Sequence, residues 1–307
     1  MKILLTGGRG MVGMNVLQHA RAARHEWHAP TRQELDLMDA GAVLAAIERI
    51  QPDVIVHAAG KVGGIEANRA DPWGFMVENV TIGLNVVTSA RKVGVRKLVN
   101  LASSCIYPAN HAGHLTEDML LSGALEPTNE AYAVAKIAVL KLCAYAREAS
   151  SGLAYKSIIP CNIFGPYDNF HLIRAHLLPA IIRKVHEARE SAGQSVEIWG
   201  DGSARREFMY AGDLADAIIE ACERYDEMPS LMNVGTGVDY SILEYYEAAR
   251  RVLGWEGEFT FDLSRPTGMK RKVVDVSLQT SWGWSPQVSL DEGIARTYQS
   301  FLEGKIR

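Results

Sequence analysis

The chain has 307 residues, 48% of them hydrophobic and 22% charged, with a formal net charge of −4. This is the composition of an ordinary globular protein, and its acidic balance argues against a general nucleic-acid binder. No apolar run approaches the roughly 18 residues of a membrane helix. The four cysteines lack Cys-x-x-Cys spacing, which argues against a zinc site and fits a reducing cytoplasm.

Lys2–Thr6 is a short apolar run, as expected of a buried parallel strand, and it begins too early to leave room for a leader peptide. Gly7, Gly8, Arg9, Gly10, Met11, Val12 and Gly13 follow directly and open a helix predicted over 13–24. Glycines at 7, 10 and 13 allow a tight turn, close approach of the backbone to a pyrophosphate, and close helix–strand packing. The next strand, 26–29, ends without the acidic residue that would hold a ribose 2′-hydroxyl. Arg32, with Arg9 near it, suits a 2′-phosphate, so NADP(H) is the expected dinucleotide. Asp36 and Leu37 are placed beside the adenine.

Helices follow at Ala40–Ile50, 73–93 and 131–149, and strands at Val54–His57, Lys97–Leu101 and 156–160. Repeated strand–helix units predict an α/β fold: a Rossmann-type, doubly wound parallel sheet with helices on both faces and ligands at the strand carboxyl ends. After residue 165 the rhythm changes to a helix at 176–191, a strand at 196–199, Phe208–Tyr210, a helix at 212–224 and Leu231–Val234. Residues 1–165 are therefore expected to bind dinucleotide, with some return of the chain after 205. Residues 166–307 are expected to form a smaller mixed lobe that binds substrate.

Tyr132 and Lys136 are spaced i, i+4 on a helix, which puts phenol and ammonium on one face, one turn apart. Ser103, just after a strand, can reach the same phenol. Such a triad polarises a carbonyl while a nicotinamide delivers hydride. A nearby lysine charge favours the phenolate, so Lys136 is expected to draw Tyr132 down toward neutral pH. Cys105 adds a second proton-transfer group that a plain reductase does not need.

These motifs resemble the extended short-chain dehydrogenase/reductase family, and more closely its GDP-L-fucose synthase branch, the GDP-4-keto-6-deoxy-D-mannose 3,5-epimerase/4-reductases. The matching strings run end to end, among them Ser103-Ser104-Cys105-Ile106-Tyr107-Pro108, Asp168-Asn169-Phe170-His171 and Arg206-Glu207-Phe208. The resemblance implies that Cys105 and His176 invert C3 and C5 of a GDP-linked 4-keto-6-deoxy sugar. It also implies that Lys136 hydrogen-bonds the nicotinamide ribose, and that Leu101, Ala102, Ser103, Ser104, Pro160, Asn162, Ile163 and His176 line the dinucleotide. Lys184, Arg206 and Lys272 become substrate contacts, with Trp199 packing on the substrate. The chain departs from the branch at Gly8, Cys161, the 172–175 loop and Lys184. No metal is expected. Apolar residues on more than one face of two helices (Val77, Val80, Ile82, Leu84; Val134, Ile137, Val139, Leu140) predict a homodimer through a four-helix interface. A sister enzyme of GDP-heptose or GDP-colitose type, or a non-catalytic dinucleotide sensor, are the alternatives.

Overall fold

The computed structural model describes residues 1–171, 175–264 and 269–306. The chain opens with β1 (Lys2–Thr6), α1 (Met11–Gln18), β2 (Glu26–His28), α2 (Ala40–Ile50), β3 (Val54–His57), α3 (Ile65–Ala70), α4 (Pro72–Val93), β4 (Lys97–Leu101), α5 (Glu130–Glu148) and β5 (Ala154–Pro160). It continues through β6 (Asn162–Phe164), α6 (Leu177–Glu190), β7 (Ser195–Trp199), β8 (Arg205–Arg206), β9 (Phe208–Tyr210), α7 (Ala211–Glu223) and β10 (Leu231–Val234). Last come β11 (Tyr240–Ser241), α8 (Ile242–Leu253), β12 (Glu258–Asp262), β13 (Arg271–Lys272), α9 (Ser277–Trp282) and α10 (Leu290–Leu302).

The main sheet has the order β10-β5-β4-β3-β1-β2, and every pairing in it is parallel. Its strands are buried on both faces, so alternate residues enter two different cores. Ile3, Leu5, Val54, Val56 and Val99 enter one; Leu4, Ile55 and Leu98 enter the other. The strand order reverses between β1 and β3. The loops that follow these two strands therefore diverge and leave a crevice at the carboxyl edge.

The expected return to the sheet is made by β10, which extends the β5 edge. Leu214 and Ile218 of α7 and Trp282 of α9 pack into the same core as Ile3. A separate core, built on Phe164, Leu178, Ile182, Tyr245 and Ile294, holds the smaller lobe together. That lobe also carries the parallel β7–β12 pair and the mixed β11-β8-β13 sheet.

One detail departs from the sequence reading. The helix expected over 13–24 stops at Gln18, and a 3-10 turn, Ala20–Arg24, follows. His19 is extended there and its ring accepts from Arg21 N, while the Arg21 guanidinium is held by Asp216, Glu220 and Glu223 of α7. On α5, Ile137, Val139 and Leu140 are buried in the chain's own cores. Gly83 makes this close α4–α5 packing possible, since a Cβ there would lie 2.2 Å from Val139 Cγ2.

Candidate active site

The β1–α1 turn is built for close approach. Gly7 has φ +78°, and a Cβ on it would lie 2.7 Å from Ala59 N; a Cβ on Gly13 would lie 2.3 Å from Gly7 O. Gly10 is the N-cap of α1 with no side-chain cap, so the first-turn N–H groups of this helix have no capping side chain. Such a turn is an anion cradle. The glycines, Arg9, Met11 and Val12 all line one large cleft of about 1610 Å³. A single small ligand typically needs roughly 300–1,000 Å³, so there is room for a dinucleotide and a nucleotide sugar together. Arg32, Asp36 and Leu37 line the same cleft, with Arg9 and Arg32 exposed. These residues fit a 2′-phosphorylated dinucleotide: a pyrophosphate cradle, no acid at the end of β2, and two exposed cations near its ribose end.

Deeper in, Leu101, Ala102 and Ser103 leave β4, and Pro160, Asn162 and Ile163 leave β5; all six line the cleft. Ser104 does not. It begins a 3-10 turn, Ser104–Ile106, and is buried beneath it, away from the dinucleotide contact expected of it.

Tyr132 and Lys136 stand on α5 facing the end of β4. Lys136 Nζ donates to the Leu101 carbonyl at 3.0 Å and lies 5.8 Å from the centroid of the Tyr132 ring. Gly60 lies beside the lysine, where a Cβ would crowd Asn79 Oδ1 at 3.0 Å and reach Lys136 Nζ at an ordinary 3.5 Å. Burial lowers Lys136 to about 8, partly offset by the charge of Cys105. Burial raises Tyr132 well above the ordinary phenol value, the Cys105 charge adds to this, and a hydrogen bond with Ser103 opposes it. The expectation that Lys136 pulls the phenol down to neutrality is therefore corrected. Desolvation is the largest cause, and Tyr132 carries its proton at neutral pH.

Cys105 is partly exposed to the cleft. Asn129 Nδ2 donates to its sulfur at 3.4 Å and Lys272 Nζ at 3.5 Å. His176 stands as N-cap of α6, with its ring open to the cleft but deep between the walls. Desolvation, and then the Lys272 charge, lower it below the usual imidazole value. Lys272 was expected on the substrate; in the structure its ammonium touches Cys105 and reaches His176 electrostatically. Lys184 Nζ donates to Glu197 O at 3.0 Å and lies 5.5 Å over the ring of Trp199, which is 44% exposed. Arg206 Nη1 donates to Arg205 O, and burial lowers its guanidinium below the usual value. Lys184, Trp199, Arg206 and Lys272 all line the smaller lobe's side of the cleft. Of the divergent 172–175 loop, Leu172, Ile173 and Arg174 lie outside the described residues.

The sequence model of the NAD dependent epimerase/dehydratase family matches residues 3–235. The chain belongs to this family. It is 52% identical over 305 residues to a GDP-L-fucose synthase of Azorhizobium caulinodans, covering 99% of this chain and 97% of that protein. It is 48% identical over 305 residues to a GDP-L-colitose synthase of Yersinia pseudotuberculosis, covering 99% of each. Among solved structures, a GDP-mannoheptose C4 reductase from Campylobacter jejuni with NADP bound superposes with a TM-score of 0.88. It shares 31% identity and covers 98% of both chains.

For this family member, sequence reasoning missed several cleft residues. Asn129 touches Cys105. Glu126 and Thr128 line the same wall, and Thr128 Oγ1 donates to Glu126 at 3.2 Å. Lys61 is clamped by Asp71 at 2.7 Å and Glu78 at 2.6 Å, and its peptide is bracketed by Asn79. Glu207 is buried and accepts from Thr236 N, Gly237 N and Val274 N, tying β8, β10 and β13 together beneath the site. No local signal marks the contacts of Asn129 with Cys105 or of Glu207 with residues 236, 237 and 274, since each joins residues distant in the chain.

Proposed function

We propose that the protein is an NADPH-dependent enzyme that epimerises a GDP-linked 4-keto-6-deoxy sugar at C3 and C5 and reduces it at C4, giving GDP-L-fucose. Whole-length relatives carry that name, and the glycine cradle with Arg9 and Arg32 suits NADP(H). The observation that carries the reading is one cleft in which Ser103, Tyr132 and Lys136 meet Cys105 and His176. A dinucleotide sensor needs none of these side chains.

In this reading the bound dinucleotide supplies a hydride to C4. Ser103 donates a hydrogen bond to the C4 carbonyl, and Tyr132 gives its proton to the oxygen as negative charge develops. Lys136 holds a positive charge beside that oxygen and binds the ribose. For inversion, the ketone acidifies the C3 and C5 hydrogens, and the same Ser103–Tyr132 pair stabilises the enolate. Cys105 and His176 take a proton from one face and return one to the other. Desolvation and the Lys272 charge lower His176, which favours the neutral imidazole able to accept a proton. Trp199, Lys184, Arg206 and Lys272 bind the nucleotide half.

Similar identity to a GDP-L-colitose synthase keeps a second reading in view, a sister enzyme on another GDP-linked 4-keto sugar. Consumption of NADPH with GDP-4-keto-6-deoxy-D-mannose, followed by NMR of the product, decides between them. GDP-L-fucose is expected; a product inverted at neither or only one centre would move the assignment to the sister.

The protein acts as a homodimer in this reading. Trp73, Val77, Val80 and Leu84 recur at spacings of four, three and four along α4; Trp73 and Leu84 are 78% and 44% exposed, and Val77 and Val80 are partly exposed. Val134, Ala138, Lys141 and Tyr145 repeat that spacing on α5. Two such stripes side by side suit a four-helix interface with a second copy.

A further inference from the structure

Asn129 ends the loop before α5 and stands at its N-cap, where an Asn side chain ordinarily accepts from the first helical turn. It makes no such bond. Its Nδ2 instead donates to Cys105 Sγ at 3.4 Å, and Lys272 Nζ approaches the same sulfur at 3.5 Å from β13. Tyr132 and Lys136 of α5 lie close enough to the same sulfur to couple to it electrostatically. Asn129 Oδ1 is buried without a hydrogen-bond partner among the described residues. A helix start has thus given up its cap to place an N–H donor on sulfur. A neutral thiol is a weak acceptor with little use for two donors; a thiolate accepts both.

We propose that Asn129, together with Lys272, is a positioning residue for Cys105. The two donors fix the sulfur in the cleft and stabilise the negative charge of the thiolate that takes the proton from the carbon beside the ketone. In that step the C–H bond breaks, an S–H bond forms, and the electron pair moves onto the ketone oxygen as an enolate. The inference rests on the epimerase half of the function proposed above, and it adds a second role for Lys272 beside substrate binding.

Asn129→Asp is the decisive variant. It keeps the size of the side chain and can cap α5, where a carboxylate is favoured, but it cannot donate to sulfur. Asn129→Ala, Lys272→Met and Lys272→Arg complete the set, all in the full chain with NADP bound. The first readout is incorporation of solvent deuterium at C3 and C5 of the 4-keto sugar. The second is the rate of Cys105 alkylation by iodoacetamide at pH 7, which is specific because Cys143, Cys161 and Cys222 are buried. Exchange and alkylation should both fall about tenfold or more in Asn129→Asp, the weight of one hydrogen bond to a charged group. Thermal stability should hold or rise. Lys272→Met should behave alike, with alkylation largely restored by Lys272→Arg. Wild-type exchange and alkylation in Asn129→Asp would overturn the proposal. So would losses in Asn129→Ala that track its melting temperature while Asn129→Asp stays normal, since Asn129 would then serve the helix alone. If the wild type itself exchanges no proton, the epimerase reading fails, and the alkylation rates still decide whether the two donors activate the sulfur.

Discussion

Lys136 and Tyr132 share one face of α5, with the ammonium 5.8 Å from the phenol ring centroid and tied to the Leu101 carbonyl. Burial acts on them in opposite senses, lowering the lysine to about 8 and raising the phenol. At neutral pH the pair is therefore a charged ammonium beside a protonated phenol. That is the state a proton donor to a new alkoxide needs.

Tyr132→Phe should fold and bind NADPH yet lose about 10²–10⁴-fold in turnover, because the proton donor is removed while the ring packing stays. Near-normal NADPH oxidation by this variant would remove Tyr132 from the chemistry. Lys136→Ala should in addition weaken NADPH binding, measured by fluorescence titration.

The same lysine sets a pH dependence of stability. Its folded value lies near 8 and its unfolded value near 10.5. Below about pH 8 both states are protonated and the full burial penalty opposes folding. As pH rises through 8 to 10.5, the unfolded chain holds the extra proton, so this group makes the fold more stable, by about 3 kcal/mol across the window. Denaturation titrated over that range should show this rising contribution in the wild type and lack it in Lys136→Met. Identical slopes in the two proteins would contradict it.

Gly13→Ala places a methyl 2.3 Å from Gly7 O and 2.5 Å from Gly8 Cα. Helix α1 must then back away from the turn, at a cost of about 1–3 kcal/mol. Both the melting temperature and NADPH affinity should drop. An unchanged affinity would mean that the cradle does not hold the dinucleotide.

Cys105→Ser and His176→Asn should separate inversion from reduction. Deuterium exchange at C3 and C5 should slow, while Tyr132 and hydride delivery remain and some un-inverted ketone is still reduced. NMR of the products reads both effects. Fully inverted product with unchanged exchange from both variants would make these residues structural.

Light scattering at micromolar concentration should give a dimer, and Leu84→Arg should give monomers with little loss of fold, since Leu84 is 44% exposed. A monomeric wild type would leave the α4 and α5 stripes without their proposed partner.

Local pattern was enough for the central sheet, and for a glycine turn and a Tyr132–Lys136 pair that line one cleft. Val54–His57, Lys97–Leu101 and Leu231–Val234 are readable because a strand buried on both faces is predominantly apolar. The glycine turn and the Tyr132–Lys136 pair are readable because each works through spacing within a few residues. What only tertiary structure decided are the relations between distant segments. The break after Gln18 depends on α7, nearly two hundred residues later. Ser104 drops out of the cleft because a 3-10 turn folds it under. The direction of the Tyr132 shift comes from burial, which no spacing encodes. Lys272 reaches Cys105 across 167 positions of sequence, and Asn129 reaches it from a helix cap. Periodicity reports which face of an element is buried; it carries no information on which distant side chain waits there, and in this protein that is where the sulfur acquires its donors.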